Sequence, residues 1–69
     1  MRPYSGREVV SSLAKAGFDQ VAQRGSHVKL RSADGRTVIV PDHREIARGT
    51  MRSILRQSGL TVEEFEDLD

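Results

Sequence analysis

The sequence contains no cysteine and no tryptophan, and only two prolines, one tyrosine and two phenylalanines. The absence of cysteine excludes disulfides, thiolate zinc sites and cysteine nucleophiles. No apolar run approaches the roughly 18 residues that a membrane span needs, and the amino-terminal stretch has no apolar signal region. We therefore expect a cytoplasmic protein without a membrane partner.

The length of 69 residues favours one small domain over residues 1–69. A chain of this size buries only about 60% of its unfolded surface, so the core must be small. Its hydrophobic content of 36% lies above that of disordered chains. A cofactor-binding domain of ordinary size would not fit, and we expect no cofactor.

The net charge of +1 hides an asymmetry along the chain. Residues 1–58 hold all eleven basic and five acidic residues, a net charge of +6, whereas 59–69 hold five acidic residues and no basic one. Nine of the basic residues are arginine, whose planar fork matches phosphate. This basic body suits a polyanion such as nucleic acid. The alternative is an ordinary solvated surface with an acidic tail. A separate hypothesis is that this tail shields the basic face or binds a partner.

A capping box at Ser5 and Glu8 predicts a first helix over about 6–16. Gly17 is a natural stop for this helix. Its apolar residues share one arc of the helical wheel: Val9, Val10, Leu13 and Ala14.

A second helix is predicted after a polar loop at 42–49, with Thr50 as its N-cap and Gly59 as its stop. Its inward stripe consists of Met51, Ile54, Leu55 and Ser58. A second capping box, beginning at Thr61, opens a short acidic helix near Phe65.

Three strands are predicted between the two longer helices, over 18–24, 27–31 and 37–40, with turns at Gly25-Ser26 and Asp34-Gly35 and a stop at Pro41. Tight turns between consecutive strands predict an antiparallel sheet. The fold class is therefore α+β: a helix, a three-stranded antiparallel sheet and a helix, with both helices on one sheet face. This order resembles that of double-stranded-RNA-binding domains, but residues 49–53 lack the lysine-rich start of their second helix, so simple duplex-RNA binding is not expected. The arrangement leaves the other sheet face open.

His27 is the best candidate for chemistry, because it follows a glycine turn and shares the open face with Lys29 and Arg31. An imidazole exchanges protons near neutrality, and neighbouring cations would hold a phosphodiester and stabilise developing charge. RNA brings its own nucleophile, the 2′-hydroxyl, so a ribonuclease of this kind needs neither metal nor cysteine. The alternative is an ordinary surface histidine at the start of a strand.

The remaining polar candidates carry weaker signals. We interpret His43 as a histidine of the polar loop. The two histidines are sixteen positions apart, and this spacing does not predict a metal site. Arg52 faces away from the inward stripe of the second helix, and the amides of Gly49-Thr50 could meet a phosphate. A solvated helix face with a capped start explains the same residues equally well.

The assembled motifs resemble those of the HicA toxin family, the small mRNA interferases of HicA–HicB toxin–antitoxin pairs. The matching stretches run in family order along nearly the whole chain: 5–10, 16–18, 23–27, 34–36, 38–41 with His43, 49–60 and 63–65. The Gly-Ser-His step at 25–27 and the block from Gly-Thr to Gly-Leu at 49–60 are the most specific of them.

The resemblance implies a double-stranded-RNA-binding-like fold, ribonuclease activity on mRNA and a HicB-type antitoxin that blocks the site. It makes His27 the catalytic residue, and we expect Lys29, Arg31 and Arg52 to bind RNA. Many members carry a second histidine at the position of Val28, which should point into the core here. The alternative is a non-catalytic RNA-binding or protein-interaction module on the same fold. A third hypothesis, a DNA-binding regulator, is disfavoured because the sequence has no recognisable helix-turn-helix.

Overall fold

The computed structural model describes residues 1–69, which form three helices and one antiparallel sheet. The elements follow one another as α1 (Gly6–Lys15), β1 (Phe18–Arg24), β2 (His27–Ser32), β3 (Thr37–Pro41), α2 (Arg48–Ser58) and α3 (Val62–Glu66). The strand order β1-β2-β3 is that of an antiparallel meander. The α+β architecture expected from the sequence is confirmed.

The core lies between one face of the sheet and the helices. Val28, Leu30, Val38 and Val40 alternate with exposed or half-buried residues along β2 and β3, and each is at most 5% exposed. They pack against Tyr4, Val9, Leu13, Phe18, Ile46, Met51, Ile54 and Phe65. Both longer helices thus cover the same sheet face, as in double-stranded-RNA-binding domains, and the opposite face is uncovered.

The third strand ends one residue later than expected, at Pro41. Pro41 is directly opposite His27 at the end of the ladder. The N–H group of Ile39 points to the free edge of the sheet, where it donates to the Gln57 side chain. Because Pro41 is two residues further along, its nitrogen faces the same edge, and the missing proton costs no ladder bond.

The first strand covers the residues expected, Phe18–Arg24, but only Phe18 is buried. A register shift between Gln20 and Ala22 leaves Val21 as an extra residue, which is a β-bulge. The bulge explains the weak alternation of the sequence here, because it interrupts the two-residue period of the pleat. Val21 is 50% exposed at this edge of the sheet.

The second helix begins two residues before the expected N-cap, so the assignment of Thr50 as a cap is wrong. The N-cap is Ala47, which is extended and makes no side-chain capping bond. Long-range packing decides this start: Ile46 is 4% exposed, and its N–H donates to the Tyr4 carbonyl at 2.8 Å. The end of α2 agrees with the sequence, because Gly59 adopts the left-handed conformation with φ of 76°.

The first helix has the capping box expected at Ser5 and Glu8, and it ends at Lys15, one residue early. Its first residue makes a close contact with another part of the chain. A methyl group on Gly6 would lie 2.2 Å from the carbonyl oxygen of Pro41. This approach brings the start of α1 against the end of β3, where the Gly6 N–H donates to the His43 carbonyl at 2.8 Å.

The acidic carboxyl-terminal segment is docked on the helical side of the molecule rather than lying over the open sheet face. The Phe65 ring is fully buried and meets the Tyr4 ring edge-on, with centroids 5.1 Å apart. The Arg2 guanidinium stacks 4.0 Å above the Tyr4 ring and forms ion pairs with Glu8 at 3.2 Å and Asp69 at 3.0 Å. The acidic segment therefore does not shield the basic residues of the open face.

Candidate nucleic-acid interface

His27 begins β2 directly after the two-residue turn formed by Gly25 and Ser26. Gly25 has a φ of 57°, a conformation that favours glycine. Two bonds hold the turn: Gln23 donates its side-chain N–H to the Gly25 carbonyl at 3.1 Å, and the Asp42 N–H donates to the Ser26 carbonyl at 2.6 Å. The His27 side chain is exposed and forms no hydrogen bond within the chain, so the turn presents it to solvent.

Lys29 and Arg31 share the open face with His27, as the alternation along β2 predicts. Alternate residues of a strand are about 6.6 Å apart. Lys29 is half-buried and Arg31 is exposed, and the Arg31 Nε donates to the Thr37 hydroxyl at 3.4 Å. The structure thus brings three of the four predicted site residues into one line along the middle strand.

The first strand adds residues to the open face that were not predicted from the sequence. Arg24 lies directly opposite His27, and Asp19 lies opposite Arg31. The signal for Arg24 was present in the sequence, because a two-residue turn at 25–26 makes its flanking residues cross-strand neighbours. Arg24 is exposed and forms no ion pair or hydrogen bond through its side chain.

The third strand contributes an apolar element beside the line of basic residues. Ile39 lies opposite Lys29 and is 37% exposed. Ile39 is therefore an exposed apolar side chain on the open face. Its N–H donates to the Gln57 side chain of α2 at 3.1 Å, which occupies this point of the sheet edge.

Arg52 lies on a different surface from the other three predicted residues, because α2 covers the opposite face of the sheet. One flank of α2 carries Gln57, which reaches the free edge of β3. Arg52 is on the other flank with Arg48, where both border a groove of about 520 Å³. The amino-terminal segment, including Arg2, forms the facing wall of that groove.

His43 lies in the loop between β3 and α2, and its side chain is exposed. Its backbone carbonyl accepts the Gly6 N–H, so the residue helps to tie that loop to α1. This agrees with its reading as a loop histidine. No group of three or more His, Asp or Glu side chains is placed to hold a metal ion.

Contacts within the fold shift the pKa of three side chains, those of Glu8, Asp34 and Tyr4. The backbone N–H of Ser5 and the Arg2 guanidinium lower the pKa of Glu8, and the Ser32 hydroxyl lowers the pKa of Asp34. Burial raises the pKa of the Tyr4 hydroxyl, and the nearby Asp69 carboxylate adds to this. The shift of Glu8 comes from the cap of α1, that of Asp34 from the turn between β2 and β3, and that of Tyr4 from burial beside the packed carboxyl terminus.

These observations define a small α+β protein with the element order of a double-stranded-RNA-binding domain, whose uncovered sheet face carries a histidine among basic residues. None of its helices is long and apolar enough to cross a membrane. A family model described as the HicA toxin of bacterial toxin–antitoxin matches residues 6–60. The chain belongs to the HicA toxin family. No curated protein matches it.

Because it belongs to this family, the chain is a toxin of a toxin–antitoxin system, and an antitoxin is its partner. The matched residues run from the start of α1 to the residue after the glycine stop of α2. They include the whole sheet and therefore the whole open face. The packed α3 segment lies beyond them.

Proposed function

We propose that this protein is a toxin that cleaves mRNA in the cytoplasm as a metal-independent endoribonuclease, with His27 as its single catalytic histidine. The observation that carries the proposal is the place of His27: exposed, held by a glycine turn, and next to Lys29 on the uncovered sheet face. An unbonded imidazole at such a place is available to exchange a proton with a bound substrate.

The proposed reaction is an internal transesterification of the RNA strand. The 2′-oxygen forms a bond to phosphorus while the bond from phosphorus to the 5′-oxygen breaks. The proton of the 2′-hydroxyl passes to the His27 imidazole, and the departing 5′-oxygen takes up a proton, from the imidazolium or from water. The products are a 2′,3′-cyclic phosphate and a 5′-hydroxyl, and no water is consumed. A positioned histidine contributes about 100- to 10,000-fold to such a rate.

The decisive experiment compares His27→Ala with His43→Ala. Both residues are exposed histidines, so the pair separates a specific role from the loss of any imidazole. We expect His27→Ala to abolish RNA cleavage and growth arrest while changing the free energy of unfolding by no more than about 0.5 kcal/mol. His43→Ala should retain cleavage. Wild-type cleavage should continue in excess chelator and yield cyclic phosphate ends.

A folded His27→Ala protein that cuts RNA at the wild-type rate would refute the assignment. A wild-type protein that binds RNA without cutting any would instead support a non-catalytic RNA-binding module on the same fold. Thermal unfolding of each variant shows whether a loss of cleavage comes from a loss of structure.

The proposed RNA contacts are with phosphates through Lys29 and Arg31. Phosphate binding releases counterions, so the affinity for RNA should fall steeply with added salt. Base preference should survive single substitutions of these residues, because phosphates carry no base identity. Arg52 would contact only an RNA that extends beyond the open face, so Arg52→Ala should weaken binding less than Lys29→Ala.

The proposed partner is a HicB-type antitoxin that covers the open face. Exposed Ile39 and the basic line of β2 would meet apolar and acidic groups of that protein. Lys29→Glu combined with Arg31→Glu should weaken the complex severely at low salt. Arg7→Glu combined with Arg56→Glu makes the same charge change on the helical side and should leave the affinity intact. Equal affinities for the two double variants would contradict this placement.

A further inference from the structure

We infer that Arg24, together with Lys29, holds the scissile phosphate beside His27. This rests on the proposed ribonuclease function and assigns a phosphate-binding position within the same face. The register is the basis of the inference. Arg24 is paired with His27 across the turn, and the side chains of directly opposed residues project from the same face of the sheet.

The spacing of the three residues suits one phosphate group. Opposed residues that close a two-residue hairpin have Cα atoms about 5.5 Å apart, and Lys29 is about 6.6 Å along β2 from His27. Arg24 and Lys29 therefore approach His27 from two directions, across the sheet and along the strand. Long basic side chains span these distances, so both can reach the non-bridging oxygens of a phosphate that the imidazole also contacts.

The cations of this face are not equally available for a phosphate. Arg24 forms no ion pair and no hydrogen bond through its side chain. Arg31, at the other end of the line, bonds to Thr37 and lies opposite Asp19, the only acidic residue in the paired positions of this face. Arg24 and Lys29, the two cations nearest His27, are therefore those of this face that make no side-chain bond within the chain and have no acidic residue opposite them.

The guanidinium of Arg24 offers a specific advantage during the reaction. Its planar fork donates two parallel N–H bonds to two phosphate oxygens, whereas Lys29 acts as a point charge. Negative charge on these oxygens increases as the 2′-oxygen attacks, so Arg24 should bind the transition state more strongly than the substrate. Its loss should then lower kcat more than it raises KM.

The test compares Arg24→Ala with Arg56→Ala as the matched control. Arg56→Ala removes the same charge from the outer surface of α2, and the only side-chain bond that Arg56 makes is to Ser53. We expect Arg24→Ala to lower kcat/KM for a single-stranded RNA about 10- to 100-fold, mainly through kcat. Arg56→Ala should stay near wild type, and Arg31→Ala should show a smaller loss than Arg24→Ala. Arg24→Lys, which retains the charge but not the fork, should recover part of the activity.

A second measurement uses an uncleavable strand of the same sequence with 2′-O-methyl groups. The slope of log affinity against log salt should fall by about one unit in Arg24→Ala and remain unchanged in Arg24→Lys. Thermal unfolding controls for stability. If Arg24→Ala cleaves RNA as Arg56→Ala does, the inference is wrong while the ribonuclease function stands. If wild-type protein cleaves no RNA, the proposed function fails, and this inference fails with it.

Discussion

Phe65→Ala tests whether the acidic carboxyl-terminal segment belongs to the cooperative folding unit. Phe65 is the one buried residue of α3, it is 0% exposed, and its ring packs edge-on against Tyr4. Truncation to alanine would leave a cavity between the sheet and the helices. Tyr4 and the other residues of the core cluster are themselves packed in place, so they would fill the cavity only in part.

The magnitude follows from complete burial. Truncation of a buried phenylalanine costs about 3–5 kcal/mol, of which the contact with the Tyr4 ring accounts for about 0.5–1.5 kcal/mol. A chain of 69 residues has a total stability of only about 3–10 kcal/mol. At about 4–8 °C for each kcal/mol, Tm should fall by at least about 12 °C. The variant would lie close to its unfolding threshold at 25 °C.

Thermal and urea unfolding followed by circular dichroism measure this effect. Glu66→Ala is the matched control, because it truncates the exposed neighbour in the same helix. We expect the control to stay within about 0.5 kcal/mol of wild type. A Phe65→Ala protein as stable as Glu66→Ala would refute the reasoning, since α3 would then contribute no packing energy.

Three further predictions concern the ends of the helices. Gly6→Ala should cost about 1–3 kcal/mol, because the new methyl group would meet the Pro41 carbonyl oxygen at 2.2 Å; urea unfolding measures it, and unchanged stability would contradict the close approach. The pKa of Glu8 is lowered in the folded state from its ordinary value of 4.5. The ionised side chain therefore stabilises the fold fully above pH 4.5, and this stability is lost as the pH falls through the lower pKa of the folded state. The stability difference between wild type and Glu8→Gln should accordingly shrink on acidification from pH 7 to 3, and a constant difference would disprove the linkage. Arg36→Ala should cost about 0.5–1.5 kcal/mol, because the Arg36 Nη1 donates to the last carbonyl of α2 at 2.9 Å; a Tm equal to that of wild type would show that water replaces this cap.

The open face followed from the sequence because strand alternation is a local property. The pleat sends Val28 and Leu30 to the core and His27, Lys29 and Arg31 to the other side, whatever the helices do. The neighbour of His27 on β1 was predictable in the same way, from a turn of two residues. The bulge at Val21 was not, because an extra residue depends on how both strands meet the rest of the fold.

Local rules thus determined the capping boxes, the glycine turns and the alternation of β2 and β3, because each depends on backbone angles and hydrogen bonds within a few residues. The tertiary structure alone decided three other features. Burial of Ile46 set the start of α2 ahead of Thr50, the packing of α2 against the core face separated Arg52 from the open face, and the Phe65 ring drew the acidic segment onto the helical side. Each of these depends on contacts between residues far apart in the chain, and such contacts leave no periodic signal in the sequence.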